Sequence, residues 1–356
     1  MEKAVVAAKK PELVTLEGGK TYHWCSCGQS KIQPFCDGSH RGTDFAPVKV
    51  RLQESASKLL CACKQTRNPP YCDGSHNSLA DGYDEASPDE IASTQHLSLT
   101  PALGGKAQLE GGCFVVTPAA VNADRKGNLL ISKLIGAEQG AKELSLFYLE
   151  ADQGPSTQVS FSNGSAALFV LSGFGHITIA GEMFDIAEGQ AAMVCPKEVL
   201  SLQPHADSGP IRLTATLCPQ DEQPCWPTDS HGPVSSPFDV RYGQRIFSVD
   251  QACRQEMADR FYQVLVDRDL CPDDMTQFLG EVPRSRAAFH RHLYEETITI
   301  LSGEGFLWTE KAKAAVAPGD VIFLPQRQLH SLECTSVEGM KLVGVFYPAG
   351  SPAINY

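Results

Sequence analysis

Six cysteines and two histidines recur in register. Cys25, Cys27, Cys36 and His40 return 36 residues later as Cys61, Cys63, Cys72 and His76. A Cys-x-Cys pair on an extended segment turns both thiolates to one side, where they can hold one iron. Asp37 is a favoured helix N-cap, and Cys36 and His40 stand four apart, close to one helical turn. The spacing predicts that this second pair holds a metal at a helix N-terminus, where the dipole favours an anionic cluster. Three thiolates and one imidazole suit a two-iron, two-sulfide core that is labile to acid through its histidine. The same ligand set suits a structural zinc ion, and the eight residues between Cys27 and Cys36 exclude neither.

A second constellation lies in the last third of the chain. On a strand His290 and His292 face one side, because the side-chain period is two. Glu296 and His330, from neighbouring segments, can converge on them. Three imidazoles and a carboxylate suit iron(II), manganese, nickel or zinc and leave open coordination positions. Tyr294 shares the parity of His292 and is a candidate donor to a bound substrate. Cys334 is four beyond His330, so strand alternation aims it inward beside the metal. Tyr294 and Cys334 are therefore the candidate catalytic residues, whereas Arg291 has the opposite parity and is expected at the surface. Cys113, Cys195, Cys218, Cys225, Cys253 and Cys271 lack ligand spacing and are expected to behave as small buried hydrophobes.

These groups must be held by more than one unit, since 356 residues predict two or three domains. Lys and Arg number 30 against 42 Asp and Glu, a formal charge of −12, which argues against nucleic acid as a partner. No apolar run reaches membrane-spanning length, and Met1-Glu2-Lys3-Ala4 lacks the apolar region of a secretory signal. An odd count of 13 cysteines, two pairs of them in Cys-x-Cys spacing, favours metal ligation in a reducing, cytoplasmic setting. From Asn77 to Pro101 the composition is polar and acidic, that of a linker, with Pro88 to Ile91 able to start a helical turn.

Beyond the linker short apolar runs alternate with glycine and proline, as at 144–149, 167–171, 211–217, 262–266, 297–301 and 342–346. That pattern predicts a mainly β architecture of sandwiches or barrels. One helix is expected where Ser248 and Gln251 resemble a capping box and Cys253, Met257 and Phe261 follow at helical spacing. Leu171-Ser-Gly173 and Leu301-Ser-Gly303 match at an offset of 130, as do Gly189 and Gly319. The chain is thus expected to divide into a cluster domain (1–80), an acidic linker (81–102), a barrel without metal ligands (103–237) and a metal-binding barrel (238–356). The offset places Ser160, Ser162, Ala166 and Leu200 at the ligand positions of the first barrel, and none of them replaces an imidazole.

Both N-terminal stretches, through Cys36-Asp-Gly-Ser-His40 and Cys72-Asp-Gly-Ser-His76, resemble the signature of the CDGSH (mitoNEET-type) iron–sulfur proteins. The resemblance covers residues 12–77 and includes Ser30 and Thr66 and the prolines two before the third cysteine. Two motifs in one chain resemble the monomeric branch of that family and imply two [2Fe–2S] clusters. His290, His292 and Glu296 with Gly303, then Pro325 with His330, resemble the two cupin motifs. Arg284 and Arg327 stand where those motifs usually carry glycine, which puts turn conformation in question rather than ligation. The resemblance implies one divalent ion in the second barrel, iron(II) foremost, with manganese, zinc or nickel as alternatives.

Together the two resemblances imply a non-haem iron oxygenase or oxidase acting on a small molecule, with electrons relayed from the clusters. An electron-donor reductase is then an expected partner, and a monomer or homodimer the expected state. The competing readings are a redox or iron sensor, or cluster carrier, with a ligand-binding double barrel, and a non-redox cupin isomerase or lyase.

Overall fold

A computed structural model describes residues 3–8, 11–72, 75, 95–97, 105–221, 223–226, 236–257 and 260–353. The chain is mainly β, as the alternating runs require. In the N-terminal unit Glu12–Leu16 pairs with Ala56–Leu60 and Thr21–Trp24 with Val48–Arg51, all antiparallel. Leu16, Trp24, Val50 and Leu60 form its small core together with Cys61 and Cys63. The turn expected at Pro88 to Ile91 falls outside the described residues.

Two barrels follow, each a large sheet facing a small one. In the first, Ser165–Ser172 lies between Ala191–Val194 and Ile211–Cys218 in a seven-stranded sheet. Phe174–Ile179, Glu182–Ala187 and Leu200–Pro204 make the facing sheet. In the second, Glu295–Ser302 lies between Val321–Leu324 and Met340–Tyr347 in an eight-stranded sheet. Ser331–Cys334, Gly305–Trp308 and Ala312–Val316 face it.

The central strands read as unbroken apolar runs because both their faces are covered. Ala166, Leu168 and Val170 point into the first barrel, while Ala167 and Phe169 point into a core shared by both barrels. Ile298 and Ile300 likewise point into the second barrel, and Val343 and Val345 join the shared core. Each large side chain buried there contributes roughly 1.5–3 kcal/mol, so the two barrels are held together by a continuous apolar layer. Polar clamps flank that layer. Glu295 accepts the amides of Lys142 (2.9 Å) and Glu143 (2.8 Å), and Asp273 accepts the amide (2.8 Å) and hydroxyl (2.6 Å) of Ser165.

Sheet membership does not follow boundaries at residues 102 and 237. Phe114–Val116, which precedes the first barrel, pairs with Val321–Leu324 of the second. Ile246–Phe247, which precedes the second, pairs with Ala191–Val194 of the first. Each large sheet is thus extended by a strand lent from in front of the other barrel. The backbone of Gln95–Leu97, within the stretch expected as linker, runs parallel to Ala312–Val316.

The helix expected after Ser248 does not form. Asp250 caps a single 3-10 turn, Gln251–Cys253, by accepting the Ala252 amide at 2.9 Å. The chain then enters antiparallel strands, Gln255–Met257 with Arg260–Val266. The period-two alternation that begins at Phe261 and the pairing partner at Thr276–Val282 override the helical spacing.

Candidate metal centres

The first cysteine pair stands immediately after strand Thr21–Trp24, and the second after Ala56–Leu60. In each copy the chain then loops back onto that strand. Cys25 donates its amide to the Pro34 carbonyl (2.9 Å) and Cys36 to His23 (2.8 Å). Cys61 donates to Pro70 (2.9 Å) and Cys72 to Leu59 (3.0 Å), the same frame again. Ser30 Oγ closes the first loop on the Phe35 carbonyl (2.6 Å) and Thr66 Oγ1 the second on Tyr71 (2.7 Å). The hydroxyl and proline of the motif are therefore loop-shaping residues.

Within the first copy the ligand atoms fall into pairs. Cys25 and Cys27 Sγ lie 3.6 Å apart, and Cys36 Sγ lies 3.1 Å from His40 Nδ1. Cys61 and Cys63 Sγ lie 3.4 Å apart; His76 falls outside the described residues. Backbone amides of Gln29 and Gly38 point at Cys27 and Cys36 Sγ, 3.4 Å each, and such donors favour thiolate and cluster sulfur. The helix expected at Asp37 is a turn instead. Gly38 adopts φ +94, which ends any helical run, and Asp37 accepts the amides of Lys31 and Ser39 at 2.9 Å each. Those amides, Lys31's foremost, hold the Asp37 carboxyl well below the usual carboxylate range. The carboxylate thus fixes the turn that presents Cys36 and His40.

In the second barrel His290 and His330 exchange backbone hydrogen bonds of 3.0 and 2.9 Å. His290 and His292 lie not on a regular strand but on the extended segment leading into Glu295–Ser302. Arg327 adopts φ +66 and donates its amide to the His292 carbonyl (2.6 Å), so an arginine takes the left-handed turn where glycine was expected. The three imidazole centres lie 4.4–5.0 Å apart, and one ligand nitrogen from each falls within 4.8 Å of the others.

Their orientation is fixed from behind. His290 Nδ1 lies 2.8 Å from the Ala288 carbonyl and His330 Nδ1 2.9 Å from that of Gln328. A carbonyl only accepts, so both Nδ1 atoms carry the proton and leave Nε2 free for a metal. Glu296 points inward by the same parity as Ile298, and its Oε2 lies 3.4 Å from His292 Nε2. Burial raises the Glu296 carboxyl to about 8 and lowers His330 to about 4. Burial, then the neighbouring His330, pushes His290 well below its ordinary value. A buried set that resists both its own negative charge and its own positive charge, with aimed nitrogens, fits a divalent cation.

The candidate catalytic residues fare differently. Tyr294 is buried and sandwiched, its ring 4.7 Å from His292 and 4.1 Å from Phe346. It packs against a ligand face. Cys334 does point into the barrel, but four residues of strand separate it from His330 by roughly 13 Å. Its thiol donates to the Ser336 carbonyl (3.6 Å) within the apolar core, away from the imidazoles. Sequence reasoning passed over Arg260, which donates to the Leu332 carbonyl (2.9 Å) and whose charge further disfavours protonation of His290 and His330. Nothing in its spacing marked it. Lys64, also passed over, shows in the repeat alignment as a lysine opposite Gly28.

In the first barrel the bridge equivalent to His290–His330 is Val159–Leu200, with hydrogen bonds of 3.0 and 2.8 Å. The imidazole positions are therefore Val159 and Phe161, not Ser160 and Ser162; one extra residue before Ala166 shifts the offset. Val159, Phe161, Ala166 and Leu200 all belong to the core of that barrel.

A family model for the iron-binding zinc finger of CDGSH type matches residues 3–41, and one for the cupin domain matches residues 281–346. The mitochondrial CDGSH iron-sulfur domain-containing protein 3 of Homo sapiens is 55% identical over 55 residues, 15% of this chain and 43% of that protein. The Mus musculus protein of the same name is 55% identical over 55 residues, 15% of this chain and 40% of its own. The match thus spans less than half the length of either relative.

Among solved structures, the Lactobacillus farciminis oxalate decarboxylase formate complex aligns with a TM-score of 0.53 at 13% identity, covering 67% of this chain and 87% of that one. Bacillus subtilis oxalate decarboxylase, in work on its Mn(II) centres, aligns at 0.53 and 11% identity, covering 67% and 78%. Protein Ylba from E. coli aligns at 0.51 and 16% identity, covering 69% and 95%. At such identities the likeness is one of fold. The chain therefore joins an N-terminal CDGSH domain to a cupin domain in a double-barrel frame like that of the oxalate decarboxylase structures, and among the described residues no helix is long and apolar enough to cross a membrane.

Proposed function

We propose that the chain is an oxidoreductase acting on a small molecule at one divalent ion in the second barrel, iron(II) the best fit, with electrons relayed from two [2Fe–2S] clusters. What carries this reading is a contrast in ligand geometry. Among the described residues only His290, His292 and His330 bring three ligand atoms within 4.8 Å of one another. The first cysteine motif offers two pairs instead, at 3.6 and 3.1 Å. A tetrahedral zinc site with zinc–sulfur bonds of about 2.3 Å needs all its ligand atoms within about 4 Å of each other. Separate pairs suit the two irons of a [2Fe–2S] core, and the second copy has the same frame.

An iron(II) ion held by His290, His292, His330 and Glu296 would supply redox chemistry with open coordination positions. The protein's share is orientation and proton handling. The Ala288 and Gln328 carbonyls hold two imidazoles in one tautomer, and the Tyr294 ring holds the face of the third. Glu296 gives up its proton as the cation enters, so binding acidifies the medium below about pH 8. A reductase is the electron donor in this reading.

Anaerobic metal and sulfide analysis of the full-length protein tests it, together with oxygen uptake across candidate substrates. The expected result is four cluster irons, one further iron, and clusters that reoxidise faster when substrate is present. Deleting residues 1–80 should leave the fifth metal in place and abolish sustained turnover with a physiological reductant. Undiminished turnover by that truncated chain would defeat the relay. Zinc or manganese in the barrel with no oxygen uptake would instead mark a non-redox isomerase or lyase, and a barrel purified without metal a sensor.

A further inference from the structure

The two cysteine motifs differ by one charge at equivalent places. Position 28 has no room for a side chain: φ is +79, and a Cβ would lie 1.7 Å from the Val5 carbonyl oxygen. The N-terminal segment crosses there, Val5 donating its amide to the Cys27 carbonyl at 2.9 Å. It continues to the second motif, where Ala7 and Ala8 donate to the Ala62 carbonyl at 3.2 Å each. Thirty-six residues after Gly28 stands Lys64, also left-handed at φ +64 but with a side chain to place.

That side chain folds into the space between the motifs. Lys64 Nζ donates to the Cys61 carbonyl (2.9 Å) and lies 4.6 Å from the centre of the Trp24 ring, with only 8% of the residue exposed. Trp24, which directly precedes Cys25, donates its indole N–H to the same carbonyl (2.7 Å). The Lys64 amide points at Cys61 Sγ (3.2 Å). An ammonium buried on an apolar core costs several kcal/mol unless an anion compensates it. Two anionic clusters, one on each side, are such a compensation.

We propose that Lys64 is a tuning residue for the clusters: a fixed positive charge between them that raises both reduction potentials and raises the second more. An electron entering the pair therefore settles on the cluster held by Cys61 and Cys63. The step is a one-electron reduction of one ferric ion to ferrous, with the electron taken from the reductant and no bond made or broken. The low dielectric of the apolar core around Trp24 and Leu60 strengthens the attraction. This inference rests on the two-cluster reading above.

The test is a dithionite titration of the full-length protein, followed by visible absorption and electron paramagnetic resonance, with iron and sulfide content measured on every sample. The wild type should show two one-electron steps. Lys64→Met removes the charge and keeps the bulk; it should lower both potentials and narrow their gap. The occupancy ratio between clusters should fall at least tenfold, or about 59 mV for one electron. Lys64→Gly copies position 28 and suits the positive φ, so it should behave like Met even if Met disturbs the fold. Lys64→Arg keeps the charge and should stay near wild type. Two clusters with unchanged potentials in both the Met and Gly variants would overturn the proposal. So would loss of cluster from both, which would make Lys64 an assembly residue. A single cluster in the wild type would sink this inference and the two-cluster reading together.

Discussion

His290 and His330 in the second barrel, and Val159 and Leu200 in the first, make the same pair of backbone hydrogen bonds at the same place in the frame. What differs is the filling. The second barrel sets imidazoles at 290, 292 and 330 with a carboxylate at 296; the first sets Val159, Phe161, Leu200 and Ala166 there. Phe161 lies 5.4 Å from Phe147, ring centre to ring centre, closing the space that a metal would need. The first barrel fills those four positions with core. The second keeps buried ionisable groups that, without a cation, work against the fold. The comparison teaches that the cupin frame supplies positions, and that stability and chemistry compete for the same four of them.

The largest expected effect breaks the second barrel. Replacing His290 and His292 together with Ala should remove the cupin metal, lowering affinity by at least a thousandfold, while cluster iron and sulfide stay unchanged in elemental analysis. The mirror change, Phe161→Ala, should cost about 3–5 kcal/mol in chemical denaturation and leave metal content alone. If Phe161→Ala instead costs the protein its metal, the two barrels are not separable in the way their cores suggest.

Acid–base behaviour sharpens the contrast. Burial lifts the Glu296 carboxyl from 4.5 to about 8, so the folded, metal-free protein keeps a proton that the unfolded chain releases above about pH 4.5. The Glu296 contribution to stability is therefore fullest below that value and is lost as pH rises toward 8, by roughly 3 kcal/mol at pH 7. Glu296→Gln should flatten this slope in apoprotein melting curves. The first barrel, with Ala166 at that position, contributes no such slope. A smaller effect is expected at Tyr294: Phe keeps the ring between His292 and Phe346, whereas Ala should weaken metal binding about tenfold by freeing His292. The least is expected at Cys334→Ala, about 1 kcal/mol of stability with metal content unchanged; a lost metal there would return the thiol to the site.

The ligands were legible because chemistry forced them to repeat or to keep parity. The cysteine spacing survives in both N-terminal copies, and Glu296 shares its face with Ile298 and Ile300, so period two alone places it inside. Parity says nothing about distance along a strand, which is why Cys334 looked closer to the metal than it is. A constant offset says nothing about a single inserted residue, which is why Ser160 and Ser162 stood in for Val159 and Phe161. Helical spacing from Ser248 to Phe261 was outweighed by strand partners on either side, Gln255–Met257 and Thr276–Val282. Lent strands leave no local signal at all: Phe114-Val-Val116 reads as a strand of whichever sheet it joins.

Synthesis of the chain runs on a clock that the lent strand sets. Val116 pairs with Lys106 on one side, but must wait for Val321, 205 residues further along, for its partner on the other. At about 5–20 residues per second that is roughly 10–40 seconds on the ribosome. For that interval a segment that ends fully buried, Phe114–Val116, has no finished sheet to enter and presents an unpaired apolar edge. The first barrel is completed much sooner, once Ile246–Phe247 emerges. The half without metal ligands is thus complete before the other half has been made, and the second barrel closes only once Met340–Tyr347 has emerged.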